Sequence, residues 1–514
     1  MLFNSLQFAI FLPIVFLLYW FLSPCPNGDG AKPRYSLFRY IGGFVPGEVQ
    51  LKVQNLLVVI ASYIFYGWWD YRFLFLIAFT SVCSWCSGLL IGNAHTAPRS
   101  NRAKAWMIVN IILNLSILGV FKYYDFFITE LCSLLHIHAE RHLLHIILPV
   151  GISFYTFQAL SYSIDVYRGK ITPTKDVTAF FAFIAFFPQL VAGPIERASN
   201  LLPQFATRRT FSYRQAIDGS EQILWGLFKK IVIADNCAAY VDPVWVYHET
   251  QDGTTLIMGA VLFTFQIYGD FSGYSDIAIG TAKLFGIRLI RNFNNPYFSR
   301  DIAEFWRRWH ISLTTWFKDY VYIPLGGSRP DMSRTISRYG ISSAHVKRWE
   351  KAIIARNTLV IFLLSGIWHG ANWTFVAWGV YHALIFMPLI LFGRNRRYTQ
   401  TLPTWKDTLK ILITFCIVTI GWVIFRADSI TSAWNYLMGM YHFDGMFYND
   451  GNVSKTLIMC VLMVLVEWVQ RDKAHPLDLS RQHILTQAAI CLLLVEIIIF
   501  FLPETPSPFI YFQF

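Results

Sequence analysis

Apolar stretches recur along the chain from Leu6 to Leu502, with short polar connections between them. A helix needs about 20 predominantly apolar residues to cross the hydrocarbon core of a bilayer. Backbone departs from that geometry at membrane depth only where protein surrounds it. On these grounds the pattern predicts spans at residues 6–22, 54–68, 72–92, 105–124, 143–164, 177–192, 220–240, 256–285, 353–371, 373–392, 408–425, 455–470 and 484–502. The expected fold is an all-α, polytopic integral membrane protein with roughly eleven to thirteen membrane helices, some short, re-entrant or interfacial. No Lys or Arg precedes the stretch Leu6 to Leu22 and no small-residue cleavage site follows it, so it reads as a retained span rather than a signal peptide. No polar block is long enough to fold alone. Residues 1–514 are therefore expected to form one membrane domain, with N-terminal helices over 1–140, a core over 141–392 and C-terminal helices over 393–514.

Composition agrees with this pattern. Charged residues are 14% of the chain and hydrophobic residues 55%, whereas a water-facing surface is usually dressed by about 25% charged residues. The net charge of +12 does not point to nucleic acid, because the basic residues are scattered over short connections rather than gathered on one face. Orientation is the better explanation. Lys32, Arg34, Arg39 and Lys52 lie between the first two predicted spans, Arg99, Arg102 and Lys104 after the third, and Arg168, Lys170 and Lys175 after the fifth. Such alternation places the basic connections in the cytoplasm and the N-terminus outside. The largest basic connection, Ser328 to Lys351, is then cytoplasmic and within reach of anionic headgroups or an anionic donor. The bilayer is thus the first expected partner.

Several chemistries lack their signatures. There is no phosphate-binding P-loop, no G-x-S-x-G elbow and no H-E-x-x-H helix, and none of the 13 histidines is followed by Asp at the fifth position. Cys83 and Cys86 form a C-x-x-C without a second pair or a histidine cluster, so no metal site is expected. No internal repeat of the kind common in secondary transporters is visible.

Three polar islands remain. In Phe265-Gln-Ile-Tyr-Gly-Asp-Phe-Ser-Gly-Tyr-Ser-Asp276, residues such as Asp270 and Ser272 interrupt an apolar run. Polar groups at that depth either glue helices together or serve function. In Asp301 to Tyr320, read as one amphipathic helix, Trp306, His310, Leu313, Phe317 and Tyr320 share a stripe opposite Asp301, Glu304, Arg308, Thr315 and Lys318. That helix either lies in the interface or presents His310 to a site. Fifty-nine residues after His310, His369 stands in Leu364-Ser-Gly-Ile-Trp-His-Gly-Ala-Asn-Trp373. It is either a helix-to-helix hydrogen-bonding group or a base that exchanges a proton near neutrality. Gly366 and Gly370 leave room there for a substrate or a neighbouring helix.

These islands also carry a resemblance. Gly151-Ile-Ser-Phe-Tyr-Thr-Phe157, Phe187-Pro-Gln-Leu-Val-Ala-Gly-Pro194, Tyr268 to Asp276, Phe305-Trp-Arg-Arg-Trp-His310, Trp368-His-Gly-Ala-Asn-Trp373 and Gly421-Trp-Val-Ile-Phe-Arg-Ala427 follow one another in this order. The chain resembles the membrane-bound O-acyltransferase (MBOAT) family, and within it the bacterial membrane subunits of alginate O-acetylation. The resemblance implies membrane helices around a central tunnel, with His369 matching the family's near-invariant histidine and His310 its second position, which is histidine in this bacterial branch and often asparagine in eukaryotic relatives. It implies acetyl transfer from a cytoplasmic thioester, acetyl-CoA or another acyl thioester, with no bound cofactor. The final acceptor would be an extracytoplasmic polysaccharide such as alginate or another exopolysaccharide. It further implies an extracytoplasmic Ser-His-Asp (SGNH-type) acetyltransferase partner and a bacterial cytoplasmic (inner) membrane location. On this reading His369 and His310 are catalytic. Trp306, Arg307, Arg308, Trp309, Trp316, Lys318, Asp319, Tyr320, Trp368, Asn372, Asp270 and Ser272 are expected at the donor or acceptor. Asn372, His310 and the Trp indoles are candidate donors to the carbonyl oxygen, while Arg307, Arg308 and Lys318 meet the anionic part of the donor or anchor the interface. Two further readings of the residues stand beside this one. The chain is a transporter or flippase with a histidine proton relay, or a subunit that only recruits a soluble acetyltransferase.

Overall fold

The structure, a computed structural model, describes residues 1–21, 47–94, 100–327, 343–399, 401–443, 453–503 and 507–510. Among them there is no strand, and the regular elements are helical. Seven helices among the described residues are long and apolar enough to cross a bilayer: Val49–Gly67, Tyr71–Asn93, Asn101–Leu134, Gly253–Leu284, Arg348–His369, Trp373–Leu391 and Trp405–Arg426. Leu6–Phe21 and Ile484–Phe500 are apolar but shorter. Large side chains such as Phe75, Leu492 and Ile499 stand exposed on these helices, which suits a surface solvated by lipid. The protein is a multi-pass membrane protein. The basic connections carrying Lys32, Arg34, Arg39, Arg99, Arg329, Arg334 and Arg338 lie outside the described residues.

Three predicted spans are irregular. Residues 143–151 are not helical, and the helix Ile152–Tyr167 begins only after Gly151, which takes a left-handed φ of 76°. A Cβ on Gly151 would stand 2.4 Å from the Leu190 carbonyl oxygen, so only glycine fits this approach. The stretch 177–192 breaks at Phe186 into Val177–Ala185 and Phe187–Leu190, with Pro188 in the first turn of the second piece. The stretch 220–240 passes from Tyr213–Leu227 into a π-helical turn over Phe228–Asp235 that buries Lys229, Lys230 and Asp235. All three breaks are wrapped in protein: Gly151 lies against Leu190, and Phe186 and Phe228 are fully buried. Hydropathy alone does not register such wrapping.

The chain forms two compact units, Met1–Leu227 with Tyr274–Ile290 and Asp478–Cys491, and Phe228–Gly273 with Arg291–Leu477 and Leu492–Phe514. In the first, Tyr19 Oη and Trp20 Nε1 each donate at 3.1 Å to the Phe285 and Leu284 carbonyls. These acceptors close a helix end whose carbonyls have no partner within the helix. Asn110 joins two further helices by donating to Ser163 Oγ at 2.7 Å and accepting from Ser84 Oγ at 3.2 Å, the kind of polar contact that holds helices together in lipid.

In the second unit, the helix Ser343–His369 packs on the helix Trp373–Leu391 through two glycines. A Cβ on Gly366 would stand 2.2 Å from the Phe375 carbonyl oxygen, and one on Gly379 would stand 2.4 Å from that of Phe362. Gly370 would place its Cβ 2.1 Å from the Phe375 ring. The room beside His369 therefore belongs to the neighbouring helix, and this contact sets the height at which the histidine emerges.

Candidate active site

The segment 301–320 is not one helix. Asp301 caps the helix Ile302–Arg308 by accepting from Glu304 N at 2.7 Å. Trp309 is then extended and His310 adopts a left-handed φ of 42° before the helix Ile311–Phe317 begins. A side-chain-bearing residue pays about 1–2 kcal/mol for this conformation. It is held by the neighbouring segment: Asn294 N donates to Arg308 O at 2.9 Å and Ile311 N donates to Asn292 O at 2.8 Å. The single stripe expected from helical periodicity is thereby divided, and His310 turns inward until it is 1% exposed. Its ring packs edge-on against Phe271 at 4.6 Å between centroids and lies 5.8 Å from Trp368.

Buried charge braces this turn. The Glu304 carboxylate accepts from Arg300 at 2.9 Å and from Arg308 at 2.8 Å, and all three side chains are at most 10% exposed. Arg308 also donates to the Asn294 carbonyl at 3.1 Å. Arg308 thus fastens the histidine turn.

His369 ends its helix, buried among the rings of Trp368, Trp378 and Phe425 at centroid distances of 5.0, 5.2 and 5.2 Å. Asn372 begins the next helix: its Oδ1 accepts from Thr374 N at 3.0 Å and its Nδ2 donates to Asp428 O at 2.9 Å. Its amide is engaged in joining these segments.

Both histidines line one cavity of about 620 Å³, within the range usual for small-molecule sites. Trp306, Arg307, Trp309 and Lys318 line it too, as do Leu313, Phe317, Ile361 and Phe362. Exposed Lys318 and Arg396 mark its open side. Among the residues expected at the substrate, Arg308, Trp316, Asp319, Tyr320, Trp368, Asn372, Asp270 and Ser272 are outside this lining. Asp270 and Ser272 have polar partners elsewhere. Lys230 Nζ lies 2.7 Å from Asp270 and 2.8 Å from Asp235, Ile510 N donates to Asp270 at 2.6 Å, and Lys229 Nζ donates to Ser272 at 2.9 Å. Sequence reasoning missed Asn292, Arg396, Tyr322 and Ser365. The first lies 18 residues before the histidine it touches, and Arg396 lies in an irregular segment with no periodicity to reveal it.

This polytopic helical membrane protein thus brings two buried histidines onto one cavity edged by exposed cations. The family model for the membrane-bound O-acyltransferase family matches residues 174–343 and 346–433. The chain is 41% identical to the probable alginate O-acetylase of Pseudomonas aeruginosa, covering 78% of this chain and 71% of that protein. It is 35% identical to the probable alginate O-acetylase of Azotobacter vinelandii, over 90% and 95% of the two chains. With the peptidoglycan O-acetyltransferase of Helicobacter pylori it shares 33% identity over 100% and 98%. The chain belongs to the membrane-bound O-acyltransferase family and is an O-acyltransferase. Enzyme, rather than transporter or passive scaffold, is the reading that holds.

Proposed function

We propose that the chain transfers an acetyl group from a cytoplasmic thioester, acetyl-CoA, through the bacterial cytoplasmic (inner) membrane for O-acetylation of an extracytoplasmic polysaccharide such as alginate or another exopolysaccharide. The observation that carries this is the placement of His310 and His369 on one cavity whose open side holds Lys318 and Arg396. The acetyl group is supported by the relatives, which are named for O-acetylation of alginate and of peptidoglycan.

In this mechanism the anionic end of the donor meets Arg307, Lys318 and Arg396, while its thioester reaches the histidines along the apolar wall. The acceptor hydroxyl oxygen attacks the thioester carbonyl carbon as His369 takes its proton. The tetrahedral intermediate collapses by breaking the carbon–sulfur bond, and the thiolate leaves and recovers the proton from His369. Indole N–H groups serve as donors to the carbonyl oxygen. The Trp306 Nε1 atom is buried with no hydrogen-bond partner among the described residues and belongs to a cavity-lining side chain. Holding both reactants in one cavity makes the encounter effectively intramolecular. The acetyl group then reaches the polymer through an extracytoplasmic Ser-His-Asp partner, whose serine or a short-lived carrier is the immediate acceptor.

The test is to supply [1-14C]acetyl-CoA to the cytoplasmic face of sealed membrane vesicles carrying the full chain and its partner. Label in alkali-labile ester on the far side supports the reading. Uptake of intact donor, or no ester label beyond vesicles lacking the chain, contradicts it.

A further inference from the structure

His310 does not face the cavity with an undefined ring. Its Nδ1 lies 3.1 Å from Asn292 Oδ1. The same Oδ1 faces the backbone N–H of Ser312 at 3.2 Å and the Ser312 hydroxyl at 2.8 Å. A backbone N–H only donates, so the amide atom turned toward it is the oxygen rather than the nitrogen. An amide oxygen only accepts, and the Ser312 hydroxyl, 3.4 Å from Nδ1, donates to that same oxygen at the shorter distance, so Nδ1 carries the proton. The neutral ring consequently holds its lone pair on Nε2.

We propose that Asn292 is a positioning residue, which holds His310 as the Nδ1-protonated tautomer so that Nε2 acts in acyl transfer as a hydrogen-bond acceptor. Resting on the acyl-transfer reading above, it leaves the hydroxyl proton to His369 and the carbonyl oxygen to the indole donors, and gives His310 Nε2 an N–H or O–H of the bound donor to accept from. A neutral ring in this tautomer has no proton on Nε2 to offer an oxyanion. The backbone contributes to the same end. The left-handed turn at His310 brings Ser312 within reach of Asn292, and the Ile311 N to Asn292 O bond registers the two segments. Asn292 is fully buried, so water does not compete for its amide. Phe271, Phe293 and Trp368 pack on the imidazole. The other titratable groups lining the cavity are His369, Arg307, Lys318, Arg396 and Tyr322.

The experiment measures the pH dependence of acetyl transfer from acetyl-CoA in membranes containing the full chain, as wild type, Asn292→Ala, Asn292→Asp and Ser312→Ala, at matched protein levels. Loss of the partner that orients a metal-ligating histidine costs about 10–100-fold, and Asn292→Ala is expected to lose kcat/KM on the same order. Asn292→Asp retains an acceptor for Nδ1 but adds a negative charge that favours imidazolium. It is expected to remain active with its acid limb displaced to higher pH. Ser312→Ala removes the hydroxyl that donates to the amide oxygen but keeps the backbone N–H that orients it, and is expected to lose less than Asn292→Ala. Wild-type rate and profile in Asn292→Ala would overturn the proposal, as would an unshifted acid limb in Asn292→Asp should the alanine variant fail to insert. Absence of transfer in wild-type membranes would overturn the acyl-transfer reading instead.

Discussion

Gly366 and Phe375 meet backbone to backbone: a methyl group on the glycine would stand 2.2 Å from the Phe375 carbonyl oxygen. Three residues later the same helix ends in His369. The contact therefore fixes both the separation of two membrane helices and the position of the His369 imidazole. Adding a methyl group forces the helices apart, a form of overpacking that typically costs about 1–3 kcal/mol. Gly366→Ala is expected to lower the thermal unfolding midpoint in detergent and to reduce acetyl transfer in the fraction that remains folded. An unchanged midpoint together with unchanged transfer would show that this contact does not hold the site.

Glu304 tests the brace behind His310. It lies buried between Arg300 and Arg308, and removing one member of such a set leaves uncompensated charge at about 3–5 kcal/mol. Glu304→Ala is expected to reduce the amount of chain recovered in membranes severalfold, whereas Glu304→Gln keeps two polar atoms and is expected to lose less. Equal recovery of Glu304→Ala and wild type in quantitative blots would contradict the bracing role.

The cavity's edge makes a kinetic prediction. Ion pairs of exposed side chains contribute about 0.2–1 kcal/mol, so losing one from Arg396 would weaken donor binding by up to roughly fivefold. Arg396→Ala is expected to raise KM for acetyl-CoA with little change in kcat, and added salt is expected to erode the wild-type advantage because exposed charges are screened. Loss confined to kcat would place Arg396 at a different step.

Hydropathy made the membrane class legible, because apolar runs such as Trp373–Leu391 and Trp405–Arg426 are long enough to declare themselves. His369 stood out for a related reason, as a proton-exchanging group at the end of an apolar helix. The break at His310 was not legible. Local periodicity continues smoothly from Asp301 to Tyr320, and the turn comes from Asn292 and Asn294 of another segment, whose backbone bonds compete with helix propagation. The polar island around Asp270 was legible as buried and polar, but its pairing with Lys230 depends on a π-helical turn set by packing rather than by composition. Arg396 lies in irregular chain, where no pattern precedes the tertiary contact.

The central claim is that His369 and His310 act together on one acyl group in one cavity. It is tested most directly by the O-acetyl content of envelope and secreted polysaccharide in cells carrying the wild type, His369→Ala or His310→Ala, with membrane levels of each protein matched. The mechanism predicts that acetylation falls to the level of cells lacking the chain in His369→Ala, as expected for loss of a general base, and is strongly reduced in His310→Ala. Full acetylation in a correctly inserted His369→Ala protein would contradict it.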